Sequence, residues 1–291
     1  MPFLTLSFEL GGIEAQLAED ACLAAGALAV TLSDALDEPV LEPAPGEIRL
    51  WRSTRVQALF NAGEDRSALS AILQCCLPLQ PQAMNFALLA DRVWEREWLR
   101  DFHAQRFGQR LWICPRHEQV DAAGAIVVQL DPGLAFGTGT HPSTALCLQW
   151  LDARLNAGSR VIDYGCGSGI LALSAARLGA SQVAAFDIDP QAQLATTQNA
   201  SVNDLGAQLQ VCSAAAQLPA TCDVLLANIL ASTLCALAAD FAQRVRSGGS
   251  VVLAGILSEQ ADVVVAVYAP WFHIGLYATR AGWVALEGTR K

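Results

Sequence analysis

From about residue 126 onward the chain alternates short strand-like apolar runs with alanine-rich stretches, and this alternation restricts its fold more than any other feature. Runs at 160–164, 182–187, 208–212, 222–228 and 249–256 read as strands, and 142–154, 170–179, 190–203 and 231–246 as helices. Strands separated by crossover helices lie parallel, with helices covering both faces. The expected class is therefore α/β, with a Rossmann-like doubly wound sheet. Residues 271–290 read as further sheet, an antiparallel pair.

The first ninety residues follow a different rhythm. FLTLSFEL at 3–10 alternates apolar and polar like a half-buried strand. A helix pattern at 13–25 and a strand at 27–33 follow. A strand within 47–61, a helix at 67–76 and a strand at 84–90 complete the order βαββαβ. That is the split pattern of a small α+β ferredoxin-like domain, a fold that by itself carries no chemistry. In residues 91–112, Trp94, Trp98 and Phe102 recur every four residues and so share one face of an amphipathic linker helix. The expected organisation is an N-terminal domain over 1–90, a linker helix and connecting segment over 91–125, and a larger domain over 126–291.

Length and charge agree with two domains. A chain of 291 residues is long for one core. With 53% hydrophobic and 16% charged residues it is not a disordered chain, yet no apolar run approaches the roughly 20 residues of a membrane helix. The start, MPFLTLSFELGG, lacks the basic residues and cleavage site of a secretory signal, so a cytoplasmic protein with no membrane partner is expected. Nine cysteines form no CxxC pair, which points to reduced structural thiols and to no metal site. The net charge of −10 is uneven: residues 1–90 carry eleven acids against four arginines. Such a module repels phosphate and suits a basic protein partner, although solubility alone also accounts for it.

The chemistry-bearing residues begin at 160–170, RVIDYGCGSGI, where a strand ends in Asp163 and runs into Gly165, Gly167 and Gly169. Glycines let a backbone turn sharply and approach a ligand, and the following helix turns its first amides toward the same place. A dinucleotide fingerprint needs a third glycine where Ile170 stands, which disfavours a nicotinamide-dependent oxidoreductase. About twenty residues on, VAAFDIDP sets Asp187 at the end of the next strand, where a carboxylate can accept both hydroxyls of a ribose. Asp189 and Pro190 fit the cap and first turn of the next helix. Together the two motifs indicate an adenosine-containing ligand. In LLANIL, Asn228 lies just beyond the carboxyl end of a later strand, the edge where parallel sheets bind ligands, but taken alone it reads as a turn residue or helix cap. The stretch DPGLAFGTGTHPST at 131–144 is a glycine- and hydroxyl-rich loop before a helix, and His141 beside Pro142 reads as structural support there.

On the segments DRVWEREWLRDFHAQRFGQRLWICP, LDPGLAFGTGTHPST, VIDYGCGSGILALSAARLGA, FDIDPQA, LLANIL and the closing GWVALEGTRK, the chain resembles the bacterial methyltransferases that modify the eleventh protein of the large ribosomal subunit. FGTGTHPST carries most of the specificity, and Ser143 stands where the family commonly has Thr. The resemblance implies S-adenosyl-L-methionine as cofactor. Thr144, Phe136, Gly165, Gly167, Asp187 and Asn228 would contact it, with Gly165 against its methionine part, Asp187 on its ribose, and Asn228 near the methyl group and the incoming amine. It also implies a basic, lysine-bearing ribosomal protein as substrate, methylated on lysine side chains and its N-terminal amine, and recognised by the N-terminal domain. A monomer with no direct nucleic-acid contact is expected. A methyltransferase of small molecules or of another protein would share the cofactor motifs, and a non-enzymatic binding module would need the ribose site without Asn228.

Overall fold

Every second residue of Phe3–Glu9 (β1) is buried, and Leu4, Leu6 and Phe8 meet Val56, Ala58 and Phe60 of Thr54–Asn61 (β3) in one apolar layer. Period-two burial of this kind leaves one sheet face to be covered, here by Ala15–Ala24 (α1) through Ala18, Ala21 and Cys22, and by Arg66–Cys76 (α2) through Leu69 and Leu73. Ala29–Asp34 (β2) and Asn85–Leu89 (β4) complete an antiparallel sheet in the order β2-β3-β1-β4. Asp65 caps α2, its side chain accepting the backbone N–H of Ser67 at 2.8 Å. This is the ferredoxin-like order expected from βαββαβ.

The computed structural model describes residues 2–36, 50–89, 103–130 and 139–291, and the chain divides into two compact units, Met1–Trp94 and Glu95–Lys291. The sheet above belongs to the first. Trp94, Trp98 and Phe102 of the expected linker helix lie outside the described residues. From residue 103 the helix expectation for 91–112 does not hold. Gln105–Phe107 (β5) pairs antiparallel with Leu111–Cys114 (β6), which pairs parallel with Ile126–Gln129 (β7). The turn at Gly108 takes φ +74°, a conformation that interrupts any helix there. Buried Asp152 holds it, accepting the N–H groups of Gln109 at 2.5 Å and Arg110 at 3.3 Å.

The rest of the second unit is the doubly wound sheet. Its strands are Arg160–Tyr164 (β8), Gln182–Phe186 (β9), Leu209–Cys212 (β10), Cys222–Asn228 (β11), Val245–Leu257 (β12), Phe272–Arg280 (β13) and Trp283–Arg290 (β14). They are ordered β10-β9-β8-β11-β12-β14-β13, parallel except where β14 joins β12 and β13 antiparallel. Successive residues of β8 and β12 enter opposite cores: Val161 and Val252 on one face, Ile162 and Val251 on the other. Pro142–Arg154 (α3) and Ile170–Arg177 (α4), with Ala200 of Pro190–Val202 (α5), fill the first core. Ala231–Arg244 (α6) and Ala261–Tyr268 (α7) fill the second. The strand order reverses at β8, which opens a crevice at the carboxyl ends of β8 and β11. Among the described residues no helix is long and apolar enough to cross a membrane.

Candidate active site

A cavity of about 450 Å³ opens at that crevice. Its lining takes Tyr164, Gly165 and Gly167 from the end of β8 and the following loop, and Phe186, Asp187 and Ile188 from the end of β9. Asn228, Ile229 and Leu230 follow β11, and His141, Ser143, Gly255 and Trp283 complete the wall with Thr233. A second cavity, of about 310 Å³, lies at the opposite sheet edge, among the first residues of β8, β9, β10 and β11. Parallel sheets bind ligands at their carboxyl ends, where the strand order reverses, so the cavity at that crevice is the candidate site.

The glycine loop is held on every side. Gly165 and Cys166 donate their N–H groups to the carbonyl of Phe186, at 2.7 and 3.0 Å, tying the loop to the end of β9. Thr196 and Asn199 of α5 hold the carbonyls of Gly167 and Ser168 at 3.0 and 2.9 Å. Gly165 sits at φ +81°, and a Cβ there would collide with the Ile229 side chain across the cavity. Gly169, at the same φ, faces Thr196 Cγ2, which would lie 2.8 Å from an added Cβ. No other residue type fits either position without displacing a neighbour.

Asp187 follows β9 and is half-buried. One carboxylate oxygen accepts the Gly167 N–H at 2.9 Å and the other the Asp189 N–H at 3.0 Å. A carboxylate has about four acceptor sites, so two remain for a ligand's paired hydroxyls. Ile188, next to it, is 87% exposed although it lines the cavity, offering an apolar surface beside the carboxylate. Asp189 and Pro190 begin α5 as cap and first residue, with Asp189 accepting the Gln191 N–H at 2.8 Å.

Asn228 is the last residue of β11, and its Nδ2 donates to Thr144 Oγ1 at 3.0 Å, across 84 residues of sequence. Thr144 is in the first turn of α3 and only 1% exposed. His141 caps that helix, accepting the Ser143 N–H at 3.3 Å, while its ring meets Trp283 edge-on with centroids 4.7 Å apart. Burial lowers its pKa, so the neutral imidazole is favoured. The structural support expected of His141 thus extends to the cavity wall.

Asp163 is fully buried, with Oδ2 accepting the Ala172 N–H of α4 at 2.9 Å and Oδ1 without a hydrogen-bond partner among the described residues. Burial, with the charge of Asp187 adding to it, raises its pKa to about 7. Of the expected site residues, the structure brings together Gly165, Gly167, Asp187 and Asn228 around one cavity, with Thr144 behind Asn228. Phe136 lies outside the described residues. Sequence reasoning did not select Trp283, Gly255, Tyr164, Phe186 or Ile229. The first two come from β14 and from the irregular stretch of β12 between Leu253 and Ile256, where Gly255 takes φ +78°. Only pairing of distant strands brings them to the crevice.

Comparison with known proteins gives a consistent result. The sequence profile of the family described as "Ribosomal protein L11 methyltransferase (PrmA)" matches residues 2–291. The chain is 49% identical over 284 residues to a ribosomal protein L11 methyltransferase of Methylococcus capsulatus, covering 96% of this chain and 97% of that one. It is 46% identical over 293 residues to one of Alkalilimnicola ehrlichii, covering all of both. A crystal structure of a ribosomal protein L11 methylase from Lactobacillus delbrueckii superposes with a TM-score of 0.61 at 30% identity, covering 65% of this chain and all of the other.

Proposed function

Because the chain belongs to the ribosomal protein L11 methyltransferase family, we propose that it transfers methyl groups from S-adenosyl-L-methionine to amines of ribosomal protein L11. The acceptors are lysine side chains and the N-terminal amine. The observation that carries this reading is the meeting of the glycine loop, Asp187 and Asn228 around a single cavity. The fit to an adenosine is specific: two acceptor sites remain on Asp187 for the ribose hydroxyls, with the apolar side chain of Ile188 beside them for the base. Gly165 and Gly167, which line the cavity and carry no side chain of their own, would lie against the methionine part.

When bound, this cofactor supplies a methyl group already activated by its attachment to a positively charged sulfur. The protein's task is to exclude water and to hold a neutral amine in line with that methyl. A lysine begins with a pKa near 10.4 and an α-amine near 7.7–8.0, and the apolar walls formed by Tyr164, Phe186, Ile229 and Trp283 favour the uncharged form. Asn228 receives that amine, its carbonyl oxygen accepting an N–H so that the lone pair faces the methyl. No cavity residue is assigned as a dedicated base, and the proton leaves to water.

The acidic charge of residues 1–90 supports the N-terminal unit as the part that recognises the basic protein, with the second unit carrying the chemistry. The enzyme acts in the cytoplasm as a monomer, without direct nucleic-acid contact. Mass spectrometry of purified L11 after incubation with the protein and S-adenosyl-L-methionine should show added methyl mass. Asn228→Ala should lower turnover while cofactor affinity by calorimetry stays within a few-fold. Loss of cofactor binding with normal turnover at saturation would remove Asn228 from the acceptor side.

A further inference from the structure

We propose that Trp283 receives the acceptor nitrogen, and that its aromatic ring lets the site act on an amine that already carries methyl groups. The inference rests on the reading of the cavity as a methyl-transfer site with the amine at Asn228. Strand order lays this cavity out along one line. Asp187 follows β9, Gly165 follows β8, Asn228 ends β11, Gly255 belongs to β12 and Trp283 begins β14, and these strands are neighbours in that order. With the ribose at Asp187 and the methyl group at Asn228, Trp283 lies beyond the methyl, on the acceptor's side. Register adds height. On β12, Asn228 is opposite Ala254 and Trp283 opposite Leu257, three residues further toward the carboxyl end. An amine approaching Asn228 from that side passes the indole.

The ring is held in place by the fold itself. Trp283 follows the two-residue turn Ala281–Gly282, whose φ values of +48° and +82° suit the twist of an antiparallel hairpin. The Gly282 carbonyl accepts both the N–H and the hydroxyl of Ser258, at 2.9 and 3.0 Å. The ring packs against His141, which burial keeps neutral, so this wall brings no charge of its own. Tyr164 and Phe186, the other aromatic residues of the cavity, pair with each other at 5.0 Å at the ends of β8 and β9, on the side of Asp187.

Transfer needs such a surface. As the nitrogen lone pair forms its bond to the methyl carbon and the methyl–sulfur bond breaks, positive charge passes from sulfur to nitrogen. A remaining N–H proton then leaves to water. Among the described residues lining the cavity the only carboxylate is Asp187, at the opposite end, so no ion pair meets that charge. An aromatic ring does, through cation–π attraction, and tryptophan is the strongest of the aromatic side chains in this respect. The need grows with each methyl. A neutral amine bearing two methyl groups on a lysine has no N–H left for Asn228 to accept, and the ring is then its remaining partner.

The test uses the full-length protein with S-adenosyl-L-methionine and two substrates: unmodified L11, and L11 whose amines have been dimethylated with formaldehyde and borohydride. Added methyl mass gives kcat/KM on each for the parent, Trp283→Phe, Trp283→Leu and Asn228→Ala, with cofactor Kd by calorimetry. The parent should add one further methyl to dimethylated amines. Trp283→Leu should lose about tenfold on dimethylated L11 but stay within about threefold on unmodified L11, with Kd unchanged. Trp283→Phe should fall between, and it decides the matter by the same difference between substrates if Trp283→Leu does not fold. Asn228→Ala should show the reverse preference, losing more on unmodified L11. A purely structural role for Trp283 would lower both substrates alike or weaken Kd, and either result would overturn the inference. A parent inactive on dimethylated L11 would overturn it too. No methylation of unmodified L11 by the parent would instead remove the underlying reading of the cavity.

Discussion

At the scale of single residues, Asp187 joins two tasks that the sequence shows only in part. Its distance from the glycine loop, about one strand and one helix, suggested a ribose carboxylate. The structure adds that it anchors the Gly167 and Asp189 amides, so the proposed ribose site and the loop share one side chain. Asp187→Ala should therefore weaken cofactor binding by about 2 kcal/mol or more, roughly thirtyfold, combining lost charge-assisted bonds with a released loop. Asp187→Asn keeps one acceptor oxygen and should fall between. Calorimetric titration of both variants checks this, and an unchanged affinity in Asp187→Ala would move the ribose elsewhere. The glycines and Asp187 stood out because each occupies a fixed place relative to a strand end, whereas Asn228 was marked only by the family resemblance. Trp283 and Gly255 were not, because β14 and the β12 irregularity reach the crevice through sheet order and register, which no local pattern encodes.

At the scale of elements, β8, the glycine loop and α4 form one unit, and Asp163 fastens its two ends through the Ala172 N–H. Its carboxyl is neutral in the folded protein until about pH 7, whereas in the unfolded chain it ionises near 3.8. Between those values the folded state holds the extra proton, so this group's contribution to stability is fully present at low pH. It declines as pH rises from about 4 to 7, and no further above that. Asp163→Asn removes the titration. The fall in unfolding free energy from pH 5 to pH 8 should be smaller in the variant than in the parent, as read from urea melts. Equal slopes would show that the buried carboxyl does not titrate in this range. The strands and helices from 142 to 246 were readable in outline because strand-like runs alternate with alanine-rich ones. Two features escaped that reading. The segment ADVVVAVY forms α7 although its β-branched run favours a strand; burial of Val264 and Tyr268 decides, with the Tyr268 hydroxyl donating to the Leu234 carbonyl at 2.8 Å. The small β5-β6-β7 sheet has strands of three or four residues, too short to show a period.

At the scale of the whole molecule, charge and amine content bear on how such an enzyme meets its substrate. The chain divides into units that each have their own core, and the residues proposed for the ribose and the amine all belong to Glu95–Lys291. Removing residues 1–94 should leave cofactor affinity within a few-fold and reduce methylation of intact L11 by tenfold or more. If the acidic residues of 1–90 attract a basic substrate, the full chain's KM for L11 should rise with added salt. Full activity of the shortened chain in a mass assay would end the proposed division of labour. Among the eighteen basic residues, seventeen are arginine, and Lys291 is the only lysine. Its ammonium group donates to the Ala269 carbonyl at 2.5 Å. An enzyme built to methylate lysine amines exposes its own to the same chemistry in every collision between copies. Arginine keeps the positive charge but does not shed its proton under ordinary conditions, so it offers no nucleophile. If this explains the scarcity, a lysine introduced on the exposed surface should become methylated. Arg280→Lys, three residues before the cavity-lining Trp283, and Arg66→Lys in the first unit test it by incubation with cofactor and peptide mass analysis. Added methyl mass at the new lysine is the expected result. An unmodified lysine in a variant that still methylates L11 would leave the arginine bias as a matter of composition alone.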